Sequence, residues 1–323
     1  MSYSIKDISV IIATYNRAKD LNKAIESFKD KINSIGELII VDQSTDDSTK
    51  KVVKSFRSKK IRYYHSNKPS LTAARNTGIE KLSKNSKVAV FIDDDVTLDK
   101  NYFNEILNVF NKYPNAKGAG GYFLPRIKIN KFENLLKKLF FIEHYKKNNA
   151  NVHSVYGAVY PSKLTKIIQA DWIPGFNMAY KTEIFAKEIF DSKLVKYALA
   201  EDFDFSTRVN KRWINSLYIT PHAKIIHHVS NIERTPTVKL SYMNQINHIY
   251  IHFKTFDSFF NNLILLWTLM GILFLRTIKL LASRKMVELT KTKLYLKSLT
   301  YTYNNLHLIK KGRLDLVYRS LFN

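Results

Sequence analysis

Cysteine is absent from the chain. Its absence removes disulfides, thiolate metal sites, iron–sulfur clusters and cysteine nucleophiles together, so any bound metal must sit on oxygen and imidazole. Acidic residues are scarce: 27 Asp and Glu stand against 52 Lys and Arg, a formal net charge of +25 with His neutral. Such an excess points to an anionic partner, and nucleic acid, a nucleotide, a lipid phosphate or an anionic membrane would each satisfy it. No signal peptide is expected, because Met1 to Lys6 is polar and the apolar run Ile8 to Ala13 has strand length with no cleavage region behind it. The expected location is therefore the cytoplasm. No internal repeat or low-complexity linker interrupts the 323 residues. What the chain does hold is core material: 45% of residues are hydrophobic and 13% aromatic beside an ordinary 24% charged, enough for one large or two smaller folded domains.

Ile8 to Thr14 and Glu37 to Asp42 are Val- and Ile-rich runs that end abruptly in polar residues, the pattern of buried parallel strands. Between them Leu21, Ala24, Ile25 and Phe28 recur at helical spacing. Strands over Ile61 to His65 and Lys87 to Ile92 alternate with helices over Leu71 to Leu82 and Tyr102 to Phe110, which predicts a mostly parallel sheet covered on both faces. Ligands of such sheets bind beyond the carboxyl ends of the strands. Polar residues gather at those ends: Thr14, Tyr15, Asn16 and Arg17 after the first strand, Asp42, Gln43 and Ser44 after the second, Asp93, Asp94 and Asp95 after the Lys87 to Ile92 strand. Farther on, Arg126 to Lys166 is Lys-rich with an amphipathic helix around Phe132 to Phe140, Pro174 and Gly175 make a turn, and strands are expected at Ile214 to Ile219 and Ala223 to His227. Only helical patterns follow Val238, which places a boundary near Thr235 and Pro236.

Residues two apart on an extended chain point to one side, so Asp93 and Asp95 can address one ligand. Two carboxylates held close repel, and a divalent cation bridging diphosphate oxygens relieves that repulsion. Taken alone, the triplet reads equally as a solvated loop whose aspartates cap the helix beginning near Lys100. Glu201 and Asp202 precede a helix, where Asp202 is either an N-cap or a general base kept ionised by the helix dipole and free N–H groups. His227 and His228 end a strand, whose alternation turns one of them inward and the other away. Arg75 early in its helix reads singly as a surface salt bridge, and Asp42 as a turn residue.

The order of these segments carries more than any one of them. Val10-Ile11-Ile12-Ala13-Thr14-Tyr15-Asn16-Arg17, Ile40-Val41-Asp42-Gln43-Ser44-Thr45-Asp46-Asp47-Ser48-Thr49, Ala74-Arg75-Asn76-Thr77-Gly78 and Phe91-Ile92-Asp93-Asp94-Asp95 are followed by Trp172 to Met178, by Glu201-Asp202-Phe203-Asp204-Phe205 and by Ile225-Ile226-His227. Over roughly residues 5 to 230 this succession resembles family 2 of the nucleotide-sugar glycosyltransferases, inverting enzymes of the GT-A fold. The resemblance implies an α/β fold with a Rossmann-like, mostly parallel sheet, helices on both faces and a helical C-terminal region. It implies that Thr14, Tyr15 and Asp42 hold the nucleoside, with Asn16, Arg17, Ser44 and Asp94 also around the nucleotide sugar, Arg75 beside base or phosphate, and Asp93 on the ribose side. Asp95 and His227 would bind the metal, Trp172, Gly175, Asn177 and Glu201 would lie on the acceptor side, and Asp202 would be the base. Asp94 in the middle of the triplet and His228 beside His227 depart from the family pattern and make rival cation ligands.

The implied reaction is a single displacement at the anomeric carbon, in which Asp202 takes the acceptor proton and a divalent cation neutralises the departing diphosphate. An imidazole ligand favours Mn²⁺ over Mg²⁺. The implied catalytic domain is 1–235, with a nucleotide-sugar half over about 1–125 and an acceptor half over about 126–235, followed by a helical region over 236–323. A sugar-phosphate nucleotidyltransferase is the alternative enzyme, but it should carry a Gly-rich loop after the first strand and Ala13 to Arg17 has no glycine. A nucleic-acid binder would use the +25 charge and leave carboxylates at three strand ends without a purpose, so no nucleic acid is expected as partner. Near the C-terminus, Leu263 to Leu275 has 13 residues broken only by Thr268 and Gly271, short of the roughly 20 that span a bilayer, with Arg276 and Lys279 close behind. An interfacial helix at the cytoplasmic face of the membrane is the leading expectation, with a lipid-linked glycan as acceptor. Core packing and a span are its alternatives.

Overall fold

A computed structural model of the chain describes residues 2–123, 129–230 and 237–322. The boundary expected near Thr235 and Pro236, and the start of the excursion at Arg126, lie outside these residues. The described residues form two compact units: 2–123, 163–197 and 201–230 in the first, 129–162, 198–200 and 237–322 in the second.

The first unit opens with β1 (Ile8–Thr14), α1 (Ala18–Glu26), β2 (Glu37–Asp42), α2 (Ser48–Ser55), β3 (Ile61–His65), α3 (Leu71–Glu80), β4 (Val88–Asp93), β5 (Val96–Leu98), α4 (Tyr102–Lys112) and β6 (Gly118–Tyr122). After α5 (Lys131–Leu139), β7 (His144–Lys146) and β8 (Val159–Pro161) of the second unit come β9 (Ile168–Ala170), β10 (Asn177–Lys181), α6 (Glu201–Arg212) and β11 (Leu217–His227) of the first. The remaining helices, α7 (Thr237–Ile251), α8 (Phe259–Ser283), α9 (Met286–Asn304), α10 (Leu306–Lys310) and α11 (Leu314–Phe322), belong to the second unit.

Nine strands form one sheet in the order β3-β2-β1-β4-β10-β6-β11-β5, with β9 also on β11. β1 pairs in parallel with β2 and β4, and β2 with β3; β10 enters antiparallel beside β4, after which β6 and β11 resume the original direction. Most strands thus point one way, in keeping with the largely apolar runs of β1, β2 and β4, which are buried on both faces. On one face Val10, Ile12, Val90 and Ile92 pack with Leu21 and Ile25 of α1 and Tyr102, Phe103 and Ile106 of α4. On the other, α3 approaches Ile11 closely enough that a Cβ on Gly78 would stand 2.5 Å from the Ile11 Cγ2, so only glycine fits there. The two strands expected between Ile214 and His227 are one bulged strand, β11, whose register shifts between Ile219 and Lys224. Ile214 precedes it, exposed.

The second unit divides the chain differently from the expected single cut near 235. Residues 129–162 lie with the C-terminal helices, not with the sheet. The reason is packing: the Phe140 ring fills the space over Gly271 of α8, within 2.2 Å of where a Cβ would be, and Trp267 Nε1 donates to the Leu139 carbonyl at 2.9 Å.

Candidate active site

Register alone aligns the strand ends. Thr14 pairs with Asp42 across β1 and β2, Ala13 pairs with Asp93 across β1 and β4, and His227 pairs with Val96 across β11 and β5. The last pairing brings a residue more than a hundred positions away beside the aspartate triplet, and the His228 N–H donates to the Asp95 carbonyl at 2.9 Å.

Asp93, Asp95 and His227 each offer a ligand atom within 4.8 Å of the others. Asp95 is buried; its Oδ2 accepts the Ser230 N–H at 2.8 Å, and its Oδ1 meets His227 Nε2 at 3.0 Å. Burial pushes the Asp95 carboxyl up, but His227, the Ser230 amide and Arg17 outweigh it and hold the group below its ordinary value. A buried carboxylate, a second carboxylate and an imidazole, brought within 4.8 Å of one another, form an oxygen-and-nitrogen donor set that fits a divalent cation. Strand alternation decides between the histidines: His227 turns inward against the Phe176 ring, whereas His228 Nε2 meets Thr97 Oγ1 at 3.1 Å. Asp93, expected on the ribose side, belongs to this cluster.

Asp94 points the other way. Its Oδ2 accepts from Thr14 Oγ1 at 2.7 Å and its Oδ1 from Arg17 Nη1 at 3.2 Å, so it ties the end of β1 to the end of β4. Burial raises its pKa to about 7 against the opposing pull of Arg17 and Thr14. The rest of this edge is similarly cross-linked. Asn16, at φ 54°, holds the left-handed conformation that asparagine tolerates better than most residues; its N–H donates to Ser44 Oγ at 2.8 Å and its Oδ1 accepts the Thr45 N–H at 2.9 Å. Asp42 is fully buried, with Oδ1 accepting from the Ser44 N–H and Oδ2 from the Tyr63 hydroxyl at 2.7 Å. Burial and the Asp42 carboxylate raise the Tyr63 pKa. Tyr63 was not singled out in the sequence; its strand, running parallel beside β2, was the available signal. Tyr15 is half-buried.

Arg75 is a hub and not a surface salt bridge. Only 2% exposed, it donates from Nη1 to Glu201 and from Nη2 to Asp93 Oδ1 and the Gly175 carbonyl, both at 3.0 Å. Its guanidinium is kept charged: burial works against it, and Glu201, Asp93 and Asp202 overcome the burial. Glu201 is buried on Arg75, and burial together with the Asp202 charge pushes its carboxyl up. Asp202 is partly exposed beside it. It is the second residue of α6 and does not cap the helix in the usual way: Oδ2 accepts the Gly175 N–H at 2.7 Å and Oδ1 the N–H of Phe203 at 2.8 Å. Burial outweighs these hydrogen bonds and the Arg75 charge, so its pKa lies above the ordinary Asp value.

Two residues expected on the acceptor side lie in the core. Trp172 is buried near the Phe203 ring, and Asn177 is buried with its Oδ1 accepting from the Tyr102 hydroxyl and the Gly121 N–H.

The mostly parallel, Rossmann-like sheet with its surrounding helices has the GT-A fold. Residues 9–165 match the model of Glycosyl transferase family 2. It is 25% identical over 189 residues to the glycosyltransferase GlyA of Streptococcus pneumoniae serotype 4, an alignment covering 57% of this chain and 26% of that protein. It is 32% identical over 114 residues to the minor teichoic acid biosynthesis protein GgaA of Bacillus subtilis, covering 32% and 24%. The matches thus span about a quarter of these curated relatives. Among solved structures, the mannosyltransferase PcManGT from Pyrobaculum calidifontis, in complex with GDP-Man and Mn²⁺, shares the fold with a TM-score of 0.56 and 15% identity over 92% of this chain and 86% of that one.

Proposed function

We propose that the chain transfers a sugar from a nucleoside-diphosphate donor to an acceptor hydroxyl with inversion, using a divalent cation held by Asp93, Asp95 and His227. The observation that carries this reading is the pair of distinct carboxylate groups joined through one guanidinium: Arg75 binds Asp93 of the cation cluster and Glu201 beside Asp202. Inverting transfer needs two such groups, one for the departing diphosphate and one for the acceptor proton.

Asp202 Oδ is the proton acceptor. The Gly175 and Phe203 N–H groups fix its orientation, and its raised pKa makes it a stronger base than an exposed aspartate. Arg75 stays charged and holds Asp93 in place. Thr14, Tyr15, Asn16, Arg17, Asp42 and Ser44 line the strand ends where the nucleoside binds. When bound, the cation neutralises charge growing on the diphosphate oxygens, and Mn²⁺ suits the imidazole better than Mg²⁺. No covalent intermediate is required.

The acceptor is a glycan, carried on a lipid at the cytoplasmic face of the membrane. What supports this is GgaA's part in teichoic acid synthesis and the 25-residue apolar helix α8 in this chain. A thermal-shift panel of UDP, GDP and dTDP with their sugars tests the donor reading in Mn²⁺ and in EDTA, since a ligand at 100 times its Kd stabilises by about 2.7 kcal/mol. A metal-dependent shift with one nucleotide, followed by NMR of the product anomer, is the expected result; no shift with any nucleotide overturns the reading.

A further inference from the structure

We propose that α5 and α8 together form a lipid-docking surface that lies in the plane of an anionic bilayer and does not cross it. The inference deepens the lipid-linked-acceptor reading and rests on it for its purpose, while its physical basis is independent of the transfer chemistry.

The stretch Phe259 to Leu275 of α8 contains no charged residue. Phe259, Leu263, Leu266, Met270, Phe274 and Leu281 follow one another at steps of three, four or seven residues, so they form one stripe about 33 Å long at 1.5 Å per residue. All six are exposed, from 47% to 75% among them and their neighbour Phe260. The opposite face, Leu265, Thr268, Gly271 and Leu275, is buried. In α5, Phe132, Leu135 and Leu139 repeat the pattern at the same helical spacing and are each more than half exposed. The two helices are joined by Phe140 over Gly271, by the Trp267 hydrogen bond to Leu139 and by the Lys279–Glu133 ion pair at 2.9 Å. An apolar stripe of this extent on a soluble surface calls for a partner.

Charge identifies the partner. Residues 237–323 hold 13 Lys and Arg against three Asp and Glu, and exposed Lys131 and Lys138 flank the α5 stripe. A second copy of the chain seated on the same face would set this positive charge against itself, whereas anionic lipid headgroups complement it and lysine stems reach them readily. The packing also decides the orientation. α8 is clamped on its inner side, where the Arg276 guanidinium stacks 4.8 Å from the Tyr295 ring of α9, and α9 exposes Lys291, Lys293 and Lys297. Turning α8 across the bilayer would draw these lysines toward hydrocarbon, but lying in the interface leaves them at headgroup level.

The test is co-sedimentation of the full chain with vesicles of phosphatidylglycerol and phosphatidylcholine, and with vesicles of phosphatidylcholine alone, at low and high salt. Salt-sensitive binding to the anionic vesicles is expected, with Trp267 fluorescence quenched by lipids brominated near the headgroup. The double variant Leu266→Glu, Met270→Glu should lower the partition by about 100-fold, since each buried side chain of this size carries at least about a tenfold effect. Ile214→Glu, an exposed apolar residue of the first unit, should leave it unchanged. Unaltered binding by the double variant overturns the proposal. So does absence of vesicle binding, concentration-dependent dimerisation abolished by the same substitutions, or Trp267 quenching at the bilayer centre with resistance to alkaline carbonate. The nucleotide thermal shift on the same samples separates the two readings, because vesicle binding without a nucleotide response removes the transferase reading alone, and the converse removes the docking surface alone.

Discussion

The Gly175 N–H donates to Asp202 Oδ2 at 2.7 Å, and a Cβ placed on Gly175 would stand 2.9 Å from the Asp202 Cβ, 2.9 Å from Glu201 Oε1 and 3.2 Å from Arg75 Nη1. The turn before β10 therefore comes so close to the start of α6 that any side chain there displaces Asp202, the proposed base. Gly175→Ala is expected to lower kcat by about 10²-fold or more, as small displacements of a reacting group do, with donor affinity nearly intact. Steady-state kinetics beside nucleotide titration checks this, and a matching loss of donor binding would place the defect elsewhere.

Asp202→Asn removes the proposed proton acceptor and keeps the side chain's size, while its amide oxygen can still accept only one of the Gly175 and Phe203 N–H groups. Turnover should fall by about 10²- to 10⁴-fold with the donor Kd unchanged. Because burial raises the Asp202 pKa, the acid limb of the kcat/KM profile in the wild type should lie above the range of an exposed aspartate, activity rising as the group loses its proton. Near wild-type turnover in the Asn variant would remove Asp202 from the role.

His227→Ala should weaken Mn²⁺-supported nucleotide binding by about tenfold or more, since loss even of an outer partner of a metal ligand costs about 10–100-fold. His228→Ala, which loses only the contact with Thr97, should change it little. Calorimetric titrations with Mn²⁺ and with EDTA give the ranking, and equal affinity in EDTA would mean that the site needs no metal.

The Asp94 carboxyl, with its pKa raised by burial to about 7, keeps its proton in the folded chain through a range where the unfolded chain has released it. Its contribution to stability is therefore present at low pH and is lost as pH rises through about 7. In EDTA, Asp94→Asn should raise Tm at about pH 8, flatten the pH dependence between about pH 5 and 8, and keep the Thr14 hydrogen bond. A Tm difference between the two proteins that does not vary with pH would show that Asp94 is ionised throughout.

Much of the first unit was legible in the residues. β1, β2 and β4 are continuous apolar runs, and burial of both faces of a parallel strand demands that pattern locally, so their limits were readable to within a residue. The chemistry of the strand ends was readable for the same reason, because each polar cluster follows its own strand. The second unit was not: residues 129–162 joined the C-terminal helices through Phe140 and Gly271, a contact between residues far apart in the chain that no periodicity announces.

Local pattern was enough to put Asp93 and Asp95 on one side of the chain, to turn one of two adjacent histidines inward and to offer Asp202 as a cap or a base, because a strand alternates with period two and a helix start offers free N–H groups. Where those side chains go was set by contacts at long range. The antiparallel pairing of β11 with β5 turned His227 toward Asp95, the Thr14 and Arg17 side chains drew Asp94 away, and Arg75, legible only as a basic residue on a helix, became the buried link between Asp93 and Glu201. These are relationships between residues tens to hundreds of positions apart, set by strand register and by the need to pair every buried charge, and register is a property of the assembled sheet.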